Sequence, residues 1–379
     1  MSRLLPIIIL MALVFSCKTV KQSKSHYSIS KESVLQDIAV VNNKWQTDNK
    51  AEVRAFWDAA AYHIGNIEAY HATENEAYLA FSQKWAAHNQ WMGAKSTNPD
   101  EWKFSYGERD DYVLFGDWQA CFQVYIDLNK LNPAPYKTAR ALEVMNYEVN
   151  TEEHKYWWWI DGLFMVMPVM PRMYELTGDN IYLEKLNEYY AYTKSLTYDE
   201  EAGLWYRDKK YIYPQHTTNS GKKDFWSRGN GWVIAAHART LDLLPKSEPH
   251  YDEYAEVLTK MAENLKACQQ QEGYWTRSLL DPQQAPGPET SGTAFFTYGI
   301  LWGINNGLLD AKTYSPVVEQ AWNYLSETAI QNDGTLGYVQ PIGERAVPGQ
   351  VVNEQSTSDF GVGAFLLAAS EMVKYLDNQ

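Results

Sequence analysis

The 379-residue chain has only three cysteines, little positive charge, no convincing run of alternating polar and apolar residues, and no apolar stretch long enough to span a bilayer as a helix. So few cysteines exclude a disulfide-stapled scaffold, and Cys121 and Cys268, both in helical patterns, read as buried thiols. Without strand alternation, a sandwich, barrel or propeller of β-strands is unsupported. Thirty-three basic side chains face 47 acidic ones, for a formal net charge of −14. That field repels polyanions and excludes nucleic acid as a partner, so an anionic small ligand needs a local basic pocket. There is no His-Glu-x-x-His, EF-hand loop, phosphate-cradling Gly-x-x-x-x-Gly-Lys or dinucleotide fingerprint, so no metal and no cofactor is indicated. Ser291-Gly292-Thr293 lacks the Gly-x-Ser-x-Gly elbow of many serine hydrolases.

The apolar run Leu4 to Phe15 follows Arg3 and stops at Ser16-Cys17, the pattern of a targeting segment. Val14-Phe15-Ser16-Cys17 resembles the lipobox of bacterial lipoproteins. That resemblance implies removal of residues 1–16, lipidation of Cys17 and a flexible Lys- and Ser-rich tether over 17–30. The only membrane contact would then be the lipid anchor, and Lys18 after the cysteine points to the outer membrane, on its periplasmic or surface face. A plain secretory signal cut nearby is the alternative.

What the sequence has in abundance is aromatic: 15 Trp, 27 Tyr and 12 Phe. A common use for such a surplus is stacking on sugar rings. Past the tether, apolar residues recur at spacings of three and four. The spacing and the breakers predict twelve helices near 32–47, 54–72, 74–88, 116–129, 134–149, 158–177, 179–195, 228–243, 250–271, 290–306, 311–329 and 357–376. Thr73-Glu74-Asn75-Glu76-Ala77-Tyr78-Leu79 and Thr177-Gly178-Asp179-Asn180-Ile181-Tyr182-Leu183 share Thr-x-x-x-x-Tyr-Leu, 104 positions apart. In each, one helix ends and an Asn or Asp caps the next. Twelve helices as six hairpins give an all-α (α/α)6 barrel, one domain over 31–379, whose inner ring lines a central funnel.

Three clusters carry candidate chemistry. In Tyr156-Trp157-Trp158-Trp159-Ile160-Asp161-Gly162-Leu163-Phe164-Met165, three successive tryptophans cannot all face the core, so Asp161 sits beside an aromatic wall. Desolvation there favours the protonated carboxyl and makes Asp161 a candidate proton donor; a helix cap is the plainer reading. Asp117, in Phe115-Gly116-Asp117-Trp118-Gln119, is a second carboxylate beside Trp at a helix start, with Asp110 and Asp111 as competitors. Phe225-Trp226-Ser227-Arg228-Gly229-Asn230-Gly231-Trp232 offers an arginine fork for a carboxylate and the Trp226 face for a sugar, unless Arg228 is held in a structural ion pair. His216, in the polar loop Tyr213-Pro214-Gln215-His216-Thr217, could reach a ligand or simply face water. The glycine-punctuated stretches 288–296 and 359–366 read as places where inner helices crowd together.

Taken together, Trp158-Trp159-Ile160-Asp161-Gly162-Leu163-Phe164-Met165, Phe225-Trp226-Ser227-Arg228-Gly229-Asn230-Gly231-Trp232, Glu289-Thr290-Ser291-Gly292-Thr293 and Phe360-Gly361-Val362-Gly363-Ala364-Phe365-Leu366 resemble the motifs of the unsaturated glycuronyl hydrolases of glycoside hydrolase family 105, with family 88 a more distant match. The similarity runs over nearly all the chain past the tether, and it implies an (α/α)6 catalytic domain without cofactor. It also implies a substrate: a lyase-cut, rhamnose-containing acidic oligosaccharide, from ulvan or rhamnogalacturonan, ending in a 4,5-unsaturated uronic acid. Such enzymes hydrate the C4=C5 bond, and the hemiketal so formed opens and expels the next sugar. By this resemblance Asp161 protonates C4 and activates the water that attacks C5, and Asp117 assists, although Asp117-Trp118-Gln119 departs from the family's Asp-Asp-His. Trp159, His216, Trp226 and Arg228 would hold the unsaturated sugar. The competing expectations are a conventional inverting glycosidase on the same fold and a glycan-binding surface lipoprotein without turnover.

Overall fold

The computed structural model describes residues 29–379; the expected leader and all of the tether before Ile29 lie outside them. From Lys31 onward outer and inner helices alternate. The outer helices are α1 (Lys31–Asp48), α3 (Glu76–His88), α6 (Pro135–Val149), α9 (Ile181–Thr197), α11 (Tyr251–Cys268) and α13 (Ala311–Tyr324). The inner ones are α2 (Trp57–Thr73), the broken rods α4–α5 (Gly116–Gln119 and Cys121–Leu131) and α7–α8 (Asp161–Val166 and Val169–Thr177), α10 (Ser227–Leu241), α12 (Thr290–Asn305) and α14 (Asp359–Asp377). Each inner rod packs on the next, and α14 closes the ring against α2. All twelve expected helical segments are present, as an (α/α)6 barrel. Strand is confined, among the described residues, to the two-residue pair β1 (Tyr198–Asp199) and β2 (Leu204–Trp205), antiparallel, with a Cys121 and a Cys268 that form no disulfide elsewhere in the helices.

Local chemistry explains the boundaries. Ser30 caps α1 in a reciprocal capping box with Ser33, Asn75 caps α3, Asp310 caps α13, and Pro135 opens α6 where a missing N–H costs nothing. Pro168 falls at the break between α7 and α8. The Thr-x-x-x-x-Tyr-Leu echo is one turn built twice. Thr73 and Thr177 each donate a hydroxyl to the carbonyl four residues back, at 2.6 and 2.7 Å, and each accepts from the N–H two residues on. The residue between is left-handed both times, Glu74 at φ 55° and Gly178 at φ 73°. Tyr78 and Tyr182 then enter the core at the start of the next outer helix.

The aromatic surplus is spent mostly inside. Trp85, Trp157, Trp159, Trp205, Trp226, Trp232, Trp275 and Trp322 are all fully buried, so core packing between two rings of helices absorbs much of what the composition suggested for sugar stacking. Helices α2 and α14 approach most intimately at Gly65 and Gly363, where a Cβ on either would overlap the backbone of the other helix. Connections from inner to outer helices are short, whereas those from outer to inner helices, such as 89–115, 198–226 and 330–358, are long. The long loops therefore gather at one end of the barrel, over the N-termini of the inner helices. At the other end Arg172, Arg239 and Lys374 lie near inner-helix C-termini, paired with Asp127, Glu68 and Glu371, the charge placement that opposes the helix dipole.

Candidate active site

Five of the six inner rods begin with an acid: Asp58 on α2, Asp117 on α4, Asp161 on α7, Asp359 on α14, and Glu289, which caps α12 by accepting from Ser291 N and Gly292 N. The sixth, α10, begins Ser227-Arg228. Helix N-termini ordinarily favour a carboxylate, but burial reverses the balance for four of these groups. A cavity of about 110 Å³ lies among them, lined by Asp58, Asp117, Trp159, Asp161, Arg207, Trp226 and Arg228, with Arg54, Tyr106, Glu108, Ile342 and Gly343 toward its mouth. A wider cleft of about 650 Å³ at the opposite end, around Lys312, Glu319 and Tyr375, has no such set.

Asp161 opens α7 immediately after the tryptophan run. Of the three, Trp157 and Trp159 are buried and Trp158 is partly exposed, so the run does border solvent. Trp159 stacks on Phe115 at 4.9 Å and forms a wall of the cavity. The turn before Asp161 is pinned by Ile160 N–H donating to Arg207 O at 3.1 Å. Arg207 Nε then lies 3.3 Å from Asp161 Oδ2, while its Nη1 is held by Asp208 at 2.6 Å. Burial raises the Asp161 carboxyl above its usual range; Arg207, chiefly, and the backbone pull the other way without cancelling it. Asp117 is pushed up further, first by burial and then by the negative charge of Asp161. Two carboxyls that face one cavity, both raised by burial and Asp117 also by the charge of Asp161, are biased toward holding a proton, which suits acid and base work in sequence.

Arg228 is placed differently from the open fork the sequence suggested. Its guanidinium is buried between the Trp226 and Phe360 rings, 4.6 Å from each centroid. Nη1 donates to Gln340 O at 2.7 Å and Nη2 to Pro341 O at 2.9 Å, so both prongs fasten the 330–358 loop over the site. Burial lowers its pKa to about 10, which leaves it charged at neutrality. Trp226 carries that cation on its ring and donates its indole N–H to Gln340. His216 does not line the cavity: its Nε2 is 2.9 Å from Asp224 Oδ2 and its ring stands edge-on to Tyr211. Asp110 and Asp111 are absent from the cavity lining as well; Asp111 pairs with Lys103 at 2.6 Å.

Two buried atoms on the cavity residues, Asp58 Oδ1 and Arg228 Nε, have no partner within the protein, while Asp161 Oδ2 and Arg207 Nε face each other at 3.3 Å outside hydrogen-bond geometry. An unmatched buried polar atom costs about 1–3 kcal/mol, so two of them and a loosely made ion pair around one small space mark it as a place where a polar ligand completes the bonding. Sequence reasoning missed Arg207, Asp58 and the Arg54–Glu108 pair, which closes at 2.7 Å at the mouth. The nearest signal was Leu204-Trp205-Tyr206-Arg207-Asp208, another basic residue beside aromatics.

The fold and this pair of carboxyls define a class, the helical-barrel glycoside hydrolases. The chain belongs to Glycosyl Hydrolase Family 88, whose family model matches residues 29–376. It is similar to the unsaturated 3S-rhamnoglycuronyl hydrolase of Formosa agariphila, 32% identical over 336 residues and covering 84% of each chain. Among solved structures it is similar to a glycosyl hydrolase family 88 protein from Bacteroides vulgatus, at 57% identity and a TM-score of 0.90, covering 92% of this chain and 100% of that one. A second structure, named a polysaccharide lyase, is 58% identical with a TM-score of 0.90, covering 93% and 99%. Solved family 105 structures share the fold. The expected kinship with the unsaturated glycuronyl hydrolases therefore holds, and the chain is a glycoside hydrolase.

Proposed function

We propose that this hydrolase removes the 4,5-unsaturated uronic acid from the non-reducing end of lyase-generated, rhamnose-containing oligosaccharides by hydrating the C4=C5 bond. The carrying observation is the pair Asp161 and Asp117, two carboxyls held above their ordinary range by burial on one cavity. The double bond is an enol ether, electron-rich at C4. Protonation by Asp161 leaves positive charge on C5 and the ring oxygen, which the neighbouring carboxylates stabilise. Asp161, now ionised, takes a proton from the water that adds at C5, with Asp117 assisting. Arg228 Nε, which has no partner, and Arg207, loosely paired with Asp161, are donors suited to the uronate carboxylate, against a wall formed by Trp159 and Trp226.

The substrate's parent is ulvan or rhamnogalacturonan, and the name of the Formosa relative favours the sulfated, algal source. For placement in the cell, the Val14-Phe15-Ser16-Cys17 motif supports a Cys17-linked lipid anchor in the bacterial envelope, with the outer membrane as its destination.

Mixing the protein with ulvan-lyase and pectin-lyase products, each followed by ultraviolet absorbance and mass spectrometry, tests the reading. Hydration bleaches the enoate as the shortened saccharide appears. A lyase would make that absorbance grow on uncut polymer, a conventional glycosidase would release sugar from saturated chains, and a binding lipoprotein would change no mass. Absence of bleaching on both product sets rejects the proposal.

A further inference from the structure

Asp58 is a further carboxyl of the catalytic cavity, beside Asp117, Asp161 and the Arg54-paired Glu108, and the hydration mechanism gives it no task. It lies in the first turn of α2, and its Oδ1 is buried without a partner. The cations near it are engaged elsewhere: Arg54 donates to Glu108 at 2.7 Å and lies over the Phe56 ring at 4.4 Å. Across the close α2–α14 contact stands Asp359, whose Oδ1 accepts from Phe360 N at 2.8 Å. Burial raises both carboxyls, and the charge of Asp58 adds to the rise of Asp359, which reaches about 7.

The buried polar atoms of the cavity sort by chemistry. Arg207 Nε faces the reacting Asp161 at 3.3 Å, and the partnerless Arg228 Nε is a donor that fits the uronate carboxylate; the other partnerless atom, Asp58 Oδ1, is an acceptor. Once C4 and C5 are joined by a double bond, the unsaturated sugar keeps hydroxyl donors only at C2 and C3. We propose that Asp58 is a specificity-determining residue that accepts a hydrogen bond from the C2 or C3 hydroxyl of the unsaturated uronate, and that the site thereby rejects uronates esterified or etherified at that oxygen. A sulfate there would set an anion against a carboxyl and remove the donor together, and a methyl ether would remove the donor alone. Sulfate on the neighbouring rhamnose is untouched by this filter.

The inference rests on the proposed reaction, and the test separates the two. Bleaching rates are measured for the wild type, Asp58→Ala and Asp58→Asn on unsaturated disaccharides with free hydroxyls and on their 2-O-methyl and 3-O-methyl ethers. Circular dichroism and melting temperature establish that each variant is folded. For the wild type, one of the two ethers should lose about 10- to 100-fold in kcat/KM. Asp58→Ala should lose a similar factor on the free sugar and discriminate little between that sugar and the ether. Asp58→Asn, which keeps an acceptor, should retain more activity than Asp58→Ala. A wild type that bleaches all three substrates equally, or an Asp58→Ala variant that keeps the full ether penalty, overturns the inference while the hydration reading stands. A wild type that bleaches none of them overturns both.

Discussion

The amide nitrogen of Gln119 donates to Oε2 of Glu148 at 2.5 Å, and both side chains are shut away from water. The remaining oxygen of each, Gln119 Oε1 and Glu148 Oε1, has no other partner. A protonated Glu148 resolves this, because an acid and an amide can each donate to the other. Burial indeed raises Glu148 to about 8. The pair joins outer helix α6 to α4, two residues beyond Asp117, so it steadies the turn that carries the second carboxyl of the site.

One consequence is a pH slope in stability. Glu148 holds its proton in the folded chain up to about 8 but releases it near 4.5 once unfolded. Between those values the folded state binds more protons, so Glu148 makes stability fall as pH rises through that window. Glu148→Gln should remove this contribution and raise stability at pH 8 by roughly 2–4 kcal/mol relative to wild type. Thermal melts of the two proteins at pH 5 and pH 8 check it: the gap should widen at the higher pH, and a constant gap would mean Glu148 is ionised in the fold.

Arg207 should tune Asp161. Its cation is the main influence that lowers the Asp161 carboxyl against burial. Replacing Arg207 with Met should therefore raise the Asp161 pKa and move the alkaline limb of the kcat profile to higher pH. The same change removes a carboxylate donor, so KM should rise about tenfold or more. A pH–rate profile with separate kcat and KM values reads both effects.

His216 should matter little to turnover. Its ring is held by Asp224 away from the cavity lining, so His216→Ala should leave kcat/KM within about twofold, in the range of changes outside a site. Steady-state bleaching rates decide this, and a loss above tenfold would place the histidine in substrate binding after all.

Gly363→Ala should be poorly tolerated. A methyl group there meets the backbone at Ala61 and forces α14 from α2, the contact that closes the ring. Overpacking of this kind costs about 1–3 kcal/mol, and rigid backbone as the obstacle puts the loss at the upper end. Denaturant unfolding measures it, and an unchanged midpoint would show that the helices can part freely.

The barrel was legible because each helix carries a three-to-four periodicity and its own stop signals, readable locally. Even the repeated threonine turn was visible before its geometry was. The breaks at Ala120 and near Pro168 were hidden, since apolar spacing continues across them. At the site, Asp161 and Asp117 stood out beside their tryptophans. Arg207 and Asp58 also follow aromatics, in Trp205-Tyr206-Arg207 and Phe56-Trp57-Asp58, but they reach the cavity from separate segments, and in a chain with 15 Trp and 27 Tyr such neighbours do not single a residue out. The prongs of Arg228 were misjudged for a related reason: the carbonyls that take them belong to Gln340 and Pro341, more than a hundred residues away, and no spacing rule reaches so far.

The most direct measurement compares wild type with Asp161→Asn on rhamnose-containing lyase products, following enoate absorbance while circular dichroism verifies the fold. If Asp161 delivers the proton to C4, the wild type bleaches the enoate and the variant is slower by about 10²- to 10⁴-fold with its structure intact. A folded Asp161→Asn that bleaches at the wild-type rate would show that the proton comes from elsewhere.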